Sequence, residues 1–303
     1  YKEALKEITI NSFSKPKKYL EIIADLEKKN KQIVNSDLHP LEKARLLLED
    51  SKRMGTLPFA HLARCGFIAI NLLEDAVTVG AISNEAKESF LNSIKTVSKE
   101  FTLDCHKSFN DQSYWNDFAR KYGHLRPGTY DINSDRYDSN DGYFLKMSSN
   151  MNKDIVKQDL SPIQWEKELP NFLNCLQEIG LPSEKDYVES FLYESIEGRE
   201  YSKFIFTKNL SDALEQIAKV GEEFLLNRFE ISNLNLNFLL SLRDSELNKT
   251  DLQEYCKQVA TTNIKNKYIS SNCKLPNIIY SKKDLDISFI ESNMPNFIGV
   301  KSL

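Results

Sequence analysis

From Phe59 onward the apolar residues fall at Leu62, Ala63, Gly66, Phe67, Ile70, Leu73 and Val77. Spacing of three and four places them on one stripe of a helix, and Gly80 stands where a helix stop belongs. The period continues through Phe90, Ile94, Val97, Phe101 and Cys105, which predicts a second helix with one buried face. Upstream it predicts helices over about 1–10, 16–34 and 40–54, with Pro40 in a first-turn position and His39 at the helix entry. In the second half, Ser161-Pro162-Ile163-Gln164 has the form of a capping box with proline at the first helical position. It opens a helix through Phe172, Leu173, Leu176 and Ile179, closed by Gly180-Leu181-Pro182. Ser183 then caps a long helix that holds Phe191 and Leu192, and Leu210, Leu214, Ile217, Gly221 and Phe224 form a further stripe. Thr250-Asp251-Leu252-Gln253 is another capping box, ahead of Tyr255, Cys256 and Val259. Strand-like alternation is confined to 277–280, and no repeat period is evident. The pattern predicts an all-α fold, an irregular multi-helix array.

Two stretches interrupt the helical period. One is a long polar loop at about 122–150, with Gly123, Gly128 and Gly142. It gathers His124, Arg126, Tyr130, Asp131, Asp135, Arg136, Tyr137 and Asp138. The other is 270–303, with Pro276, Pro295, Gly299 and no apolar stripe, which reads as an extended exit linker. The expected organisation is a helical domain over 1–269 followed by that linker. The helical domain is either one body or two lobes, 1–121 and 151–269, joined by the 122–150 loop.

Composition narrows the function classes. With 41% hydrophobic and 28% charged residues in 303, the chain has the make-up of a soluble globular protein. A net charge of −4 argues against a dedicated nucleic-acid binder. Ten glycines in 303 residues fall well below the usual share of about 7%. No GxGxxG, GxxxxGK[ST] or GxSxG is present, so Rossmann, P-loop and α/β-hydrolase readings are disfavoured. The five cysteines form no CxxC pair and read as free thiols in a reducing, cytoplasmic compartment. The apolar stretch around 65–73 is too short to span a bilayer, and no signal peptide opens the chain. The sequence begins at Tyr1 in mid-pattern and reads as cut from something longer.

Candidate chemistry is sparse. His39, His61, His106 and His124 show no HxxxH spacing, and no Cys/His/Asp set has zinc-site spacing, so neither a metal site nor a catalytic residue is expected. The loop 122–138 admits two readings. In one, Arg126 and Arg136 present planar forks to a carboxylate or phosphate, oriented by His124 and Asp131. In the other, Gly123 ends a helix, Pro127-Gly128 makes a type II turn, and the charges pin the loop through ion pairs. Arg199 and Glu200, in Gly198-Arg199-Glu200-Tyr201, are a second polar pair, on a helix face.

The stretch from Tyr122-Gly123-His124 through Tyr130-Asp131 to Asp135-Arg136-Tyr137 resembles a loop of the phosphoenolpyruvate-utilising phosphotransferases, which include phosphoenolpyruvate synthase-like and rifampin phosphotransferases. The order here is His-Leu-Arg where that family commonly reads His-Arg-Gly, and Thr129 stands where glutamate is usual. Leu57-Pro58-Phe59-Ala60-His61-Leu62-Ala63-Arg64, Gly198 to Tyr201 with Asn209-Leu210-Ser211, and Pro295-Asn296-Phe297-Ile298 are similar to the helical middle region of the same proteins. The resemblance implies a helical middle domain lying between an ATP-grasp domain and a mobile phospho-histidine domain. Those flanking domains would be its partners, and they have no counterpart in this sequence. It further implies docking surfaces and contacts to a small-molecule phosphoryl acceptor, with His124, Arg126, Asp131, Arg136, Arg199 and Glu200 as substrate-side or interdomain residues. No activity is expected of this chain alone and no cofactor within it; ATP and Mg are expected for the parent protein. The competing expectation is a non-enzymatic helical scaffold or protein-interaction domain.

Overall fold

A computed structural model of the chain describes residues 2–110, 112–139, 163–242, 248–272 and 278–285. The fold is all-α, and among the described residues there is no β-strand. The helices are α1 (Lys2–Ile10), α2 (Lys15–Val34), α3 (Pro40–Asp50), α4 (Leu57–Thr78), α5 (Asn84–Ser93), α6 (Val97–Asn110) and α7 (Trp115–Tyr122). After the loop come α8 (Ile163–Glu178), α9 (Lys185–Glu223), α10 (Arg228–Ile231), α11 (Leu236–Ser241) and α12 (Lys249–Ser271). The chain divides into two compact units, Tyr1–Lys219 and Val220–Leu303.

Within the first unit, helices from both sides of the polar loop share one core. Cys65, Ala69 and Leu73 of α4, Phe90 of α5, Trp165, Phe172 and Leu176 of α8, and Val188, Phe191 and Leu192 of α9 form one buried cluster. The described residues of 1–121 and those of 163–219 therefore share one unit and are not separate lobes; the unit boundary falls inside α9, not in the loop. A second cluster joins Ile23 and Leu26 of α2, Leu62 of α4, and Ile205 and Phe206 of α9. A third is aromatic: Cys105, Phe118, Tyr122 and Tyr137, with Phe101, Trp115 and Phe204 against them.

Local signals explain most boundaries. Gly80 and Gly180 end α4 and α8 with φ of 76° and 70°, a conformation that costs glycine little. His39 accepts the amide of Leu41 at the entry to α3, with Pro40 as first residue. Other expectations are corrected. The stripe from Phe90 to Cys105 is two helices, because Lys99 of α6 donates to the carbonyls of Leu91, Asn92 and Ile94 and so caps the end of α5. The side chain that accepts the first amides of α9 belongs to Glu184, which takes Asp186 and Tyr187, and not to Ser183. The Leu210 stripe continues α9. Asn248 caps α12 by accepting Asp251 N–H, so Thr250 lies inside that helix. Residues 278–280 form no strand, while Asn277, Ser161 and Pro162 lie outside the described residues. So do 140–150 of the polar loop and 286–303 of the expected linker.

Between α3 and α4 the backbone winds as a π-helix, Ser51–Thr56, so that Pro40–Thr78 is one continuous helix of 39 residues. Gly55 is required there: a Cβ on it would lie 2.7 Å from the Cβ of Phe206 in α9. By length and composition this helix would pass as a membrane span, against the expectation from its shorter apolar run. Its buried stripe, including Cys65, Ala69 and Leu73, is used in the core just described.

In the second unit, the turn after α9 places Leu225 at φ 56°, and Leu226 N–H returns to Gly221. Asn227 and Glu230 then make a reciprocal capping box for α10. Gln253 of α12 donates to the Glu223 carbonyl, Asn263 donates to that of Asn233, and Cys256 and Ala260 supply the buried positions of α12.

Candidate functional site

The motif loop leaves α7 at Gly123 and closes on itself. Tyr137 N–H bonds to the Leu125 carbonyl at 2.9 Å, and Asp138 N–H to the Gly123 carbonyl at 3.2 Å. Between these ends, Gly128 N–H reaches Ser134 Oγ, and Asp131 Oδ1 accepts both the backbone and side-chain amides of Asn133. Gly128 does not have the positive φ of a type II turn, so that part of the bracing reading is corrected. Tyr137 anchors the loop in the aromatic cluster, 7% exposed.

Both arginines point into the protein. Arg126 has a side chain only 1% exposed. Its guanidinium donates to Ser211 Oγ at 3.0 and 3.2 Å, to the carbonyls of Asp131 and Ser134, and to Glu215 Oε1 at 2.9 Å. Ser211 Oγ in turn donates to the His124 carbonyl at 2.7 Å. Arg136 grips both oxygens of Asp138 at 2.8 and 2.9 Å and reaches Asp212 Oδ1 of α9 at 2.8 Å. Burial works against its charge, but the two carboxylates outweigh it and raise its pKa. These forks are filled by the protein's own groups. The geometry is that of the bracing reading, with Arg126 and Arg136 fastening the loop to α9.

His124 is 3% exposed and edge-on to Phe204 at 4.7 Å; neither ring nitrogen makes a hydrogen bond of good geometry, and the nearby Phe204 and Lys121 backbone favours its charged form only weakly. Burial, then the nearby cations of Lys208 and Arg136, push its pKa down to about 3, so the ring is neutral. It therefore does not orient the arginines through its ring. Asp131 is exposed and held in its own turn.

The seam extends beyond the loop. Asn30 of α2 donates to Asn209 Oδ1 and to Asp212 Oδ2, both at 3.0 Å. Asn209 donates to the carbonyl of Leu47, just ahead of the π segment. One chain of bonds thus runs from Leu47 through Asn209, Asn30, Asp212 and Arg136 to Asp138. Asn30, Asn209, Ser211, Asp212 and Glu215 were not among the expected site residues. The available signal was a polar residue on an apolar stripe: Asn30 follows Ile23 and Leu26, and Asn209 follows Ile205 and Phe206.

Arg199 and Glu200 lie apart from this seam. Arg199 sits over the exposed Phe67 ring at 5.5 Å and meets Glu200 only at 3.8 Å. Glu200 accepts from Ser98 at the start of α6. Near them Glu197 is half-buried, and burial followed by the charges of Glu100 and Glu194 raises its pKa. His61 stacks on Tyr19 at 4.4 Å, and its pKa is lowered by burial and then by Arg64, Lys15 and Lys18.

A shallow pocket of about 170 Å³ lies between α6 and α7, with Asp104, Lys107 and Lys121 in its wall beside Tyr114 and Phe118. Its charges are already matched: Asp104 holds Lys107, Lys121 and the Tyr122 hydroxyl. Among the described residues no group of three or more His, Cys, Asp or Glu side chains is arranged to hold a metal ion. Cys65, Cys105, Cys175 and Cys256 are free thiols. No family model, curated protein or solved structure matches this chain.

Proposed function

We propose that this chain is the helical, acceptor-side domain of an ATP-dependent phosphotransferase of the phosphoenolpyruvate-utilising kind, inactive alone. One observation supports the reading. Two of the stretches that carry the sequence resemblance, Tyr122 to Tyr137 and Asn209 to Ser211, lie more than seventy residues apart in sequence, yet they are fastened to each other by Arg126 on Ser211. Phosphoryl transfer depends on positioning and charge stabilisation, so a rigid platform beside the reacting domains is a chemically sensible role. Within this reading the arginines stiffen the platform. The outward groups, Tyr130 at 71% exposure with Asp131 and Asp135, meet the flanking domains or the acceptor. Arg199 and Glu200 offer a second, partly exposed contact face. ATP and Mg would be handled by the flanking ATP-grasp domain, and phosphate would be carried by a histidine outside this chain.

A second reading, a non-enzymatic helical scaffold, is favoured by the internal pairing of both arginine forks. The experiment that separates them is phosphate trapping. The product of the complete open reading frame that contains this sequence is incubated with Mg and ATP labelled in both its β- and γ-phosphates, then tested for acid-labile, base-stable label on histidine. The phosphotransferase reading expects label on the full product and none on residues 1–303 alone. A full product without label, or a frame without an ATP-grasp domain, leaves the scaffold.

A further inference from the structure

The π-helix Ser51–Thr56 is the one interruption in a helix that otherwise runs unbroken from Pro40 to Thr78. Such segments are rare and occur frequently at functional sites. A π turn carries one residue more than the α turn it replaces. Its conversion to α-helix slips the chain by one residue and turns everything on one side by about 100°. The two sides are not equally free. α4 is locked in the main core through Cys65, Ala69, Leu73 and Ala76, whereas α3 buries only Leu41, Ala44 and Leu47. A slip would therefore turn α3.

What holds the π register is partly a side chain from elsewhere. The Leu47 carbonyl already accepts Ser51 N–H, a bond an α-helix also makes; in addition it takes the Asn209 amide. Asn209 is oriented by Asn30, Asn30 shares its amide with Asp212, and the other oxygen of Asp212 is taken by Arg136 of the motif loop. Every member of this chain is buried or half-buried. Releasing Arg136 leaves the Asp212 carboxylate with Asn30 as its only side-chain donor in the seam, and the amides must turn toward it. Asn209 then leaves Leu47, and the polar tie from α9 that opposes rotation of the end of α3 is lost.

We propose that the motif loop and the π segment form a register switch: the loop docked on α9 holds the π turn, and the loop released lets α3 rotate. This goes beyond the role proposed above, since it holds equally for an enzyme part and for a scaffold. A partner that pulls on Tyr130 or Asp135 would be read out at α3, and by linkage a partner bound at α3 would alter the loop by the same factor.

Amide hydrogen exchange by mass spectrometry on the 303-residue chain tests it. Arg136→Gln is compared with wild type and with Arg120→Gln, which removes an exposed pair with Asp117 in neighbouring α7 and is unconnected to the seam. The expected result is at least tenfold faster exchange over 50–57 in Arg136→Gln, none in Arg120→Gln, and unchanged protection of α5 and α8. If R136Q does not fold, R136K carries the same comparison, since lysine keeps the charge and cannot hold Asp138 and Asp212 as a fork. Deletion of the exposed Lys52, which shortens the π turn to an α turn, is the reciprocal measurement and should speed exchange over 123–139 at least tenfold. Faster exchange confined to the mutated segment in both variants, or a uniform increase that includes α5 and α8, overturns the proposal.

Discussion

The two halves of α9 within the first unit are held by opposite kinds of interaction. Its first half, around Val188, Phe191 and Leu192, is packed by aromatic and aliphatic side chains from α4, α5 and α8, with Phe13 stacked on Phe191 at 4.1 Å. Its second half, from Asn209 to Glu215, is held by hydrogen bonds to α2, to the end of α3 and to the motif loop. Apolar packing is strong and tolerant of small slips, because it is non-directional. A hydrogen-bond chain is weaker in net energy and exacting in geometry, because each unpaired member is penalised in full. The first half supplies stability; the second selects one register and one loop placement.

That contrast can be broken by mutation. Phe172→Ala, at a fully buried position of α8, should cost about 3–5 kcal/mol in urea unfolding with an unchanged m-value. A loss below about 1.5 kcal/mol would mean that the apolar half carries less than its burial implies. Next in size, Arg126→Ala removes the guanidinium's bonds to Glu215, Ser211 and two carbonyls and should cost about 3 kcal/mol. Arg120→Ala, whose ion pair with Asp117 is 77% and 72% exposed, should stay within about 0.5 kcal/mol. Equal losses for the two arginines would erase the distinction between seam and surface.

An effect smaller than the losses at Phe172 and Arg126 is in acid. His124 titrates near its ordinary 6.5 in the unfolded chain and near 3 in the fold. Between those values the unfolded state binds more protons, so stability is complete above pH 6.5 and falls as the pH drops, by at most about 1.4 kcal/mol per unit. At pH 5 this amounts to about 2 kcal/mol. The raised carboxyls of Glu194 and Glu197 act in the opposite sense, adding stability as they protonate. The informative quantity is therefore the difference between wild type and His124→Gln across pH 7 to 5. Parallel curves would show that the ring is not buried neutral.

The helical period made most of the fold legible, because one buried stripe per helix is all that packing demands. It failed at 94–96, where Ile94 stays on the buried face across a break that contains neither glycine nor proline; the stop comes from Lys99, a residue of the next helix. It could not show the π segment, since Ser51-Lys52-Arg53-Met54-Gly55-Thr56 carries no periodic signal and its winding answers to Phe206 and Asn209, more than 150 residues away. At the site, residue types marked Arg126 and Arg136 as forks for an anion. Which anion fills a fork is decided by chain topology, and the carboxylates of Asp212 and Glu215 belong to a helix that local spacing cannot bring near. Asn30 and Asn209 were visible only as flaws in apolar stripes, a sign that two helices meet but not which two.

The partner of Asn30 lies 179 residues further along the chain. At roughly 5–20 residues per second, ribosomal synthesis separates the two by about 10–35 s. During that interval α3 and α4 are made, and with α2 they hold apolar faces that α8 and α9 have not yet covered. The first unit cannot close until α9 has emerged, so nascent-chain chaperones have a long window in which to bind those early helices.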